Sequence, residues 1–446
     1  MDRTSLTALR RQPGYLRFVG AAGLARVADE MFSVGVVLLV LERTGSATFA
    51  GAVVAAITLP SLVSAPLLGA WMDLRGKRRR LMLADQVIAT VVIAALVLMI
   101  GRVADPLVLL VVLLAGITWP LSFGGFTSLI PTIVPDRLLT PANAIEASTF
   151  NFAMILGPAI AGTISAVWSP SASLVTEAVL TFLAGLLILG LRSLDRAPTR
   201  RADSLGHVVR DGLRLLAVEP ALRGVTIAGG LGLLGFGFLT VAFPFLCTDV
   251  LGVSRNHAGH LMAAFALGSS MGALCLVRLQ RRWPSERIVL VALAIFGLLM
   301  LTWPLARTLP VALVLVAVAG VADGPGLAAT FAVRQKTVPR DLQGQVFTTA
   351  AGIKVGMFAL GSALAGPVVT GVGARQAIVF AACIQLLAAA SGLVAMRARV
   401  RAGAPAASPS AGRPSAASHA RGARPAPGSR RTPERAAPGP PGGRRA

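Results

Sequence analysis

The chain has 446 residues, a hydrophobic fraction of 55%, only 14% charged residues and a formal net charge of +23. With a mean hydropathy of +0.74, it holds too little charge to clothe a water-facing surface, since about a quarter of the residues of a soluble domain are charged. Three scattered cysteines and four histidines exclude a disulfide framework or a zinc cluster, and the excess of basic residues falls in alternate loops and the tail, which argues for membrane orientation and against nucleic acid.

Apolar runs of about 20 residues, the length a helix needs to cross a hydrocarbon core, recur from Tyr15 to Met396. Hydropathy predicts about twelve spans, at 15–41, 47–70, 81–101, 106–130, 143–167, 172–192, 222–247, 257–279, 286–303, 309–332, 343–370 and 374–397. The first run lacks a small-residue cleavage site and reads as a retained helix. It carries Arg26, Asp29 and Glu30, whose i, i+3 and i+4 spacing sets all three on one helix face. Ionisable groups inside a span face a cavity or a partner. Two adjacent acids with a nearby arginine suit proton exchange, with Arg26 keeping one acid charged. The alternative is a structural ion pair of Arg26 with one acid.

Between the second and third spans stands Gly69-Ala-Trp-Met-Asp73-Leu-Arg-Gly76-Lys77-Arg78, a basic glycine turn of the kind that stays in the cytoplasm. Asp85, Glu146 and Glu177 are expected at membrane interfaces. The fifth span contains Leu156-Gly157-Pro158-Ala-Ile-Ala-Gly162. Residues 193–221 read as an amphipathic linker on the inner surface. In the seventh span, Gly229, Gly230, Gly232, Gly235 and Gly237 permit close helix approach. Asp323 precedes Gly324-Pro325-Gly326 in the tenth span, where a break or bend is expected, and Lys354 in the eleventh is its candidate partner. The basic residues 278 to 282, together with Arg334, Lys336 and Arg340, fall in the loop set that also holds 75 to 80. This pattern places both termini in the cytoplasm. Beyond Met396 the chain turns to Ala, Pro, Gly, Ser and Arg, a composition expected to be disordered and able to touch anionic lipid.

One offset of 204 residues aligns Val134-Pro135 with Val338-Pro339, Leu156-Gly157 with Leu360-Gly361, Ala161-Gly162 with Ala365-Gly366, and Lys77-Arg78 with Arg281-Arg282. Two parallel six-helix halves with a site between them would leave such a register.

Over residues 10–398 the chain resembles the major facilitator superfamily of transporters. The resemblance rests on Gly69, Asp73, Gly76, Lys77 and Arg78, which match the family's signature loop and imply an inner gate. Gly157, Pro158 and Gly162 are similar to the antiporter motif of proton-driven exporters, without that motif's upstream glycines. Ile130 to Asn143 looks like the branch of macrolide and siderophore exporters. The membrane arginine of many proton–drug antiporters has no counterpart in 106–130, and the second copy of the signature loop, Arg278 to Arg287, has lost its glycines and aspartate.

The expected molecule is an all-α membrane protein of the cytoplasmic (inner) membrane. It comprises a six-helix bundle at 1–192, a linker at 193–221, a second bundle at 222–398 and a tail at 399–446. Its expected work is proton-coupled antiport of a small, moderately apolar drug or natural product. Asp29 and Glu30 would carry protons, Arg26 would tune them, and Asp323 with Lys354 would contact substrate or pair. The expected partners are substrate, protons and membrane lipids, with no nucleic acid, and the chain is expected to be a monomer. No nucleotide loop, metal cluster or nucleophile–histidine set is seen, so no enzyme, cofactor or metal is expected. The alternatives are an importer or lipid transporter on the same fold, or a non-transporting membrane sensor or assembly protein.

Overall fold

The computed structural model describes residues 3–65, 67–68, 78–121, 126–191, 213–338 and 343–397. Gly69, Asp73, Gly76 and Lys77 of the signature loop, most of the linker and the tail from 398 lie outside the described residues. The described chain is helical, without strands. Its first six long helices are α1 (Tyr15–Thr44), α2 (Ala47–Thr58), α3 (Arg78–Met99), α4 (Asp105–Gly116), α5 (Leu139–Val167) and α6 (Pro170–Leu189). The later six are α7 (Pro220–Phe245), α8 (Ala258–Ala273), α9 (Ser285–Met300), α10 (Leu309–Thr337), α11 (Gln343–Val372) and α12 (Ala374–Arg397).

Among the described residues nine helices are long and apolar enough to cross a membrane, against the twelve spans read from hydropathy. The difference has local causes. Helix α1 has the length but carries Arg26, Asp29 and Glu30 at its centre. The fourth span is divided into α4 and a short helix, Phe126–Ile133. Helix α8 has only 16 residues before the turn at Leu274.

Local chemistry sets the turns. Gly45 adopts φ 65°, which a side chain resists, and its N–H closes α1 on the Leu41 carbonyl. Ser46 then caps α2 by accepting from the Phe49 N–H. Ser169 does the same for α6 through Ala172. Arg43 fastens this end of the first half, donating to the Ile100 carbonyl at 3.1 Å and the Ser171 hydroxyl at 2.9 Å.

The helix pairings occur twice. Helix α1 packs on α5 and α6, α3 on α6, and α2 on α4; correspondingly α7 packs on α11 and α12, α9 on α12, and α8 on α10. The two sets meet through α2–α11 and α5–α8. The 204-residue register extends to atomic contacts. Gly157 of α5 lies on Glu30 of α1, and Gly361 of α11 lies on Leu234 of α7, each residue of the second pair standing 204 positions after its counterpart.

Lipid offers helices no hydrophobic reason to associate, so small residues that let backbones touch hold such bundles together. The α8–α10 contact is built this way from both sides. A Cβ on Gly268 would stand 2.0 Å from the Ala317 carbonyl oxygen, and one on Gly272 would stand 2.1 Å from that of Val321. Reciprocally, a Cβ on Gly320 would meet the Phe265 oxygen at 2.3 Å, and one on Gly324 the Ser269 oxygen at 2.0 Å.

Of the break or bend expected in the tenth span, the break is absent, because α10 runs unbroken through Pro325. Proline supplies no N–H to the carbonyl four residues earlier, here Val321, and Gly272 of α8 closes on that oxygen. The neighbouring helix covers the defect, as is required where water is absent.

Replacing Gly268 or Gly320 by leucine is expected to destabilise the protein by about 1–3 kcal/mol through overpacking. Gly371→Leu, at a position with open space around the built Cβ, should leave stability unchanged. Thermal unfolding of the three purified variants checks the contrast, and equal midpoints would remove this account of the α8–α10 contact.

Candidate functional site

Helix α1 has 30 residues and lies between α5 and α6, so its central charges are enclosed by protein. Arg26 is 1% exposed. Its guanidinium pairs with the carboxylate of Glu146 on α5, and donates to the Thr149 hydroxyl at 2.8 Å and the Glu146 carbonyl at 3.2 Å. It also lies over the Phe150 ring, 5.7 Å from its centroid. The arginine expected to serve Asp29 and Glu30 is thus anchored to another helix. Its long stem reaches the first turns of α5, where Glu146, Thr149 and Phe150 share one face.

Three acids expected at interfaces are inside. Asp85 and Glu177 are each 1% exposed, and the Glu146 side chain is 11% exposed. Asp85 accepts from the side chain of Gln86 at 2.9 Å. Glu177 of α6 and Asp29 of α1 interact electrostatically. One Glu177 carboxylate oxygen, Oε2, is buried without a hydrogen-bond partner. Spacing along α1 brought Asp29 and Glu30 to one face, but each meets a different neighbour. Asp29 is near α6, whereas Glu30 lies under α5.

The glycine beneath Glu30 belongs to the antiporter-like motif. A Cβ on Gly157 would stand 2.5 Å from the Glu30 Cβ and 3.0 Å from the Val27 carbonyl oxygen. The rest of the motif faces the other half. A Cβ on Gly162 would meet the Asn256 carbonyl at 2.9 Å, and one on Gly259 the Pro158 carbonyl at 2.2 Å. Hydrogen bonds cross between halves at the same end. Arg255 donates to the Leu41 carbonyl at 2.9 Å, Asn256 donates to that of Ser165 at 2.8 Å, and Thr163 and His260 are 3.1 Å apart. On the other side of this seam, Gly51 faces the Ser362 carbonyl and Gly366 faces that of Ala47. The halves are therefore closed on each other at the end that carries the α1–α2 turn.

In the second half Asp323 and Lys354 interact electrostatically but form no direct ion pair. Arg334 also acts on Lys354. Sequence placed Arg334 in a basic loop; it is instead within α10 and 3% exposed. Gly229 makes room for the lysine, since a Cβ there would stand 2.6 Å from Lys354 Cε. Neither Arg334 nor Glu177 was singled out for this site. The signal available was a charged residue within helix-forming sequence at the edge of an apolar run. Arg78 begins α3, and the remainder of the expected gate lies outside the described residues. Of the aromatics on these helices, Phe152 is 63% exposed, Phe126 packs on Phe18, and Trp119 packs on Phe32. Among the described residues no group of His, Cys, Asp and Glu could hold a metal.

The family model of the Major Facilitator Superfamily matches residues 18–348 and 225–433. Among similar proteins is the multidrug efflux pump Tap of Mycolicibacterium fortuitum, 29% identical over 389 residues, which cover 82% of this chain and 92% of that one. An uncharacterised MFS-type transporter, y4rN, of Sinorhizobium fredii is 28% identical over 376 residues, covering 82% and 91%. The enterobactin exporter EntS of Escherichia coli is 31% identical over 153 residues, 34% of this chain and 36% of its own. The solved structure of the nucleoside transporter NupG shares the fold at TM-score 0.67 and 13% identity, covering 86% of this chain and 99% of that one.

Removing one partner of a buried ion pair leaves an uncompensated charge, at a cost of about 3–5 kcal/mol. Arg26→Met or Glu146→Leu alone is expected to lower stability by that amount. The double variant should recover most of it, as apolar replacement of both partners does elsewhere. A double-mutant cycle by denaturant titration in detergent checks this, and additive losses would overturn the pairing.

Proposed function

The chain belongs to the major facilitator superfamily, and from that premise we propose that it is a secondary efflux transporter which exchanges a small, moderately apolar molecule for protons. It is a multi-pass membrane transporter, not an enzyme. The observation that carries the efflux reading is its likeness, along nearly the whole length of both chains, to a multidrug efflux pump.

Residues 1–192 and 222–398 act as two rocking bodies joined by 193–221, with the substrate between them near the midplane. The ends of the helices opposite the closed seam carry the arginines at 10, 11, 79, 80, 278, 281 and 282. Basic loops remain on the cytoplasmic side, so the seam is the outer gate and both termini are cytoplasmic. The inner gate is formed by Gly69, Asp73, Gly76, Lys77 and Arg78 when the bodies rock back.

Proton coupling is assigned to Asp29 and Glu30, with Glu177 facing Asp29. Buried carboxylates near one another can take up or release a proton as their surroundings change. Glu30 is suited to sense that change because Gly157, on which it rests, lies five residues from the seam residue Gly162 on the same helix. A shift of α5 at the seam alters the environment of Glu30 directly. Arg26 holds α1 to α5 through Glu146. Asp323 and Lys354, within reach of one another yet unpaired, are the polar contacts for substrate in the second half.

The test uses inside-out membrane vesicles carrying a proton gradient, to which a panel of lipophilic antibiotics and dyes is added. Wild-type vesicles are expected to release protons on addition of a transported compound. Asp29→Asn and Glu30→Gln should reduce that release to background while the protein remains folded. Undiminished proton release in the double variant would remove the assignment.

A further inference from the structure

The second copy of the basic turn, Arg278 to Arg287, has no task in this mechanism. It closes one end of a cavity of about 740 Å³ formed by the α8–α9 connection together with α9 and α10. Arg278, Arg281 and Arg282 line that end and are exposed. None has a carboxylate partner among the described residues. Arg287 adds a fourth cation, its guanidinium 5.2 Å from the centre of the Trp283 ring, against the single acid Glu286 in the first turn of α9. The rest of the cavity is apolar. Ile288, Val291, Ala292 and Ile295 line one face of α9 at helical spacing, a trough of about 10 Å by helix rise. Val321 and Pro325 of α10 form the facing wall. Ile295 and Val321 are 44% and 40% exposed, so the trough opens sideways.

We propose that this groove is a binding site for an anionic phospholipid. The phosphate would lie among Arg278, Arg281 and Arg282, and an acyl chain along the trough between α9 and α10. Basic pockets at the ends of membrane helices attract acidic head groups, and a tryptophan at the same level suits the head-group boundary. A soluble anion would leave the apolar walls unfilled, and an uncharged apolar compound would leave the arginines unmatched. A lipid with net negative charge satisfies both ends. The trough ends on Ala322 and Pro325, beside Asp323 and Gly324, so its occupant braces α10 where that helix bears on α8.

The test is native mass spectrometry of the full chain, delipidated in detergent and titrated with phosphatidylglycerol, phosphatidylcholine or inorganic phosphate. Wild-type protein is expected to take up phosphatidylglycerol in preference to phosphatidylcholine, and to take up no phosphate. The triple variant Arg278→Gln, Arg281→Gln, Arg282→Gln should bind phosphatidylglycerol roughly a hundredfold more weakly, given the usual contribution of each basic residue at a membrane surface. Val321→Trp, which fills the trough and keeps the arginines, should also lose the lipid. Wild-type affinity in the triple variant would overturn the proposal. So would phosphate binding together with undisturbed lipid binding in Val321→Trp, because the site would then be an anion site alone.

Discussion

Close backbone contact at glycine is the interaction on which the rest of this molecule depends. Surrounded by lipid, a helix gains nothing by hiding leucine, and the helices hold together where their backbones can meet. The α8–α10 contact uses Gly268, Gly272, Gly320 and Gly324 in reciprocal backbone pairs. The seam between halves uses Gly51, Gly162, Gly259 and Gly366, but adds hydrogen bonds from exposed or half-buried residues such as Arg255 and Asn256. Those bonds can be exchanged for water when the halves part. The same residue type therefore serves both a fixed joint and an opening one, and the chemistry around it decides which.

The interior charges are distributed with a similar economy. In the first half the cation is consumed structurally, Arg26 being held by Glu146, Thr149 and the Phe150 ring. Asp29, Glu30 and Glu177 stand in the same half, and the proposed proton coupling falls to them. In the second half the balance is reversed, with Lys354 and Arg334 near a single carboxylate, Asp323.

Much of the fold was legible in the sequence because hydrophobic length and loop charge are local properties. The spans and the glycines of α7 each follow from a few neighbouring residues. The partner of Arg26 was not legible, since Glu146 lies 120 positions away and α1 offers two nearer acids. The burial of Glu177 and Arg334 was missed for a related reason. Each sits near the edge of an apolar run, where composition cannot distinguish a residue facing the head groups from one facing another helix. The unbroken course of α10 through Pro325 was hidden too, because it requires Gly272 of a different helix to cover the carbonyl that proline strands.

The internal repeat acts as a control on which residues the fold itself requires. Gly157 and Gly361 occupy the same place in the two halves, and each rests on the corresponding residue of α1 or α7. In the second half that residue is Leu234; in the first it is Glu30. The packing beneath the glycine therefore accepts an ordinary aliphatic side chain, and nothing in the helix pairing calls for a carboxylate. The same comparison sets Asp29 against Leu233, and the Arg26–Glu146 pair against Gly230 and Ala350. Gly157 and Gly162 recur as Gly361 and Gly366, whereas Arg26, Asp29, Glu30 and Glu146 have no charged counterpart 204 positions on. A charge inside the membrane is costly, and when the sister half folds without it, the cost in the first half is not one of folding. The demand for a carboxylate at Glu30 and Asp29 therefore lies outside the helix packing, as the proposed proton coupling requires.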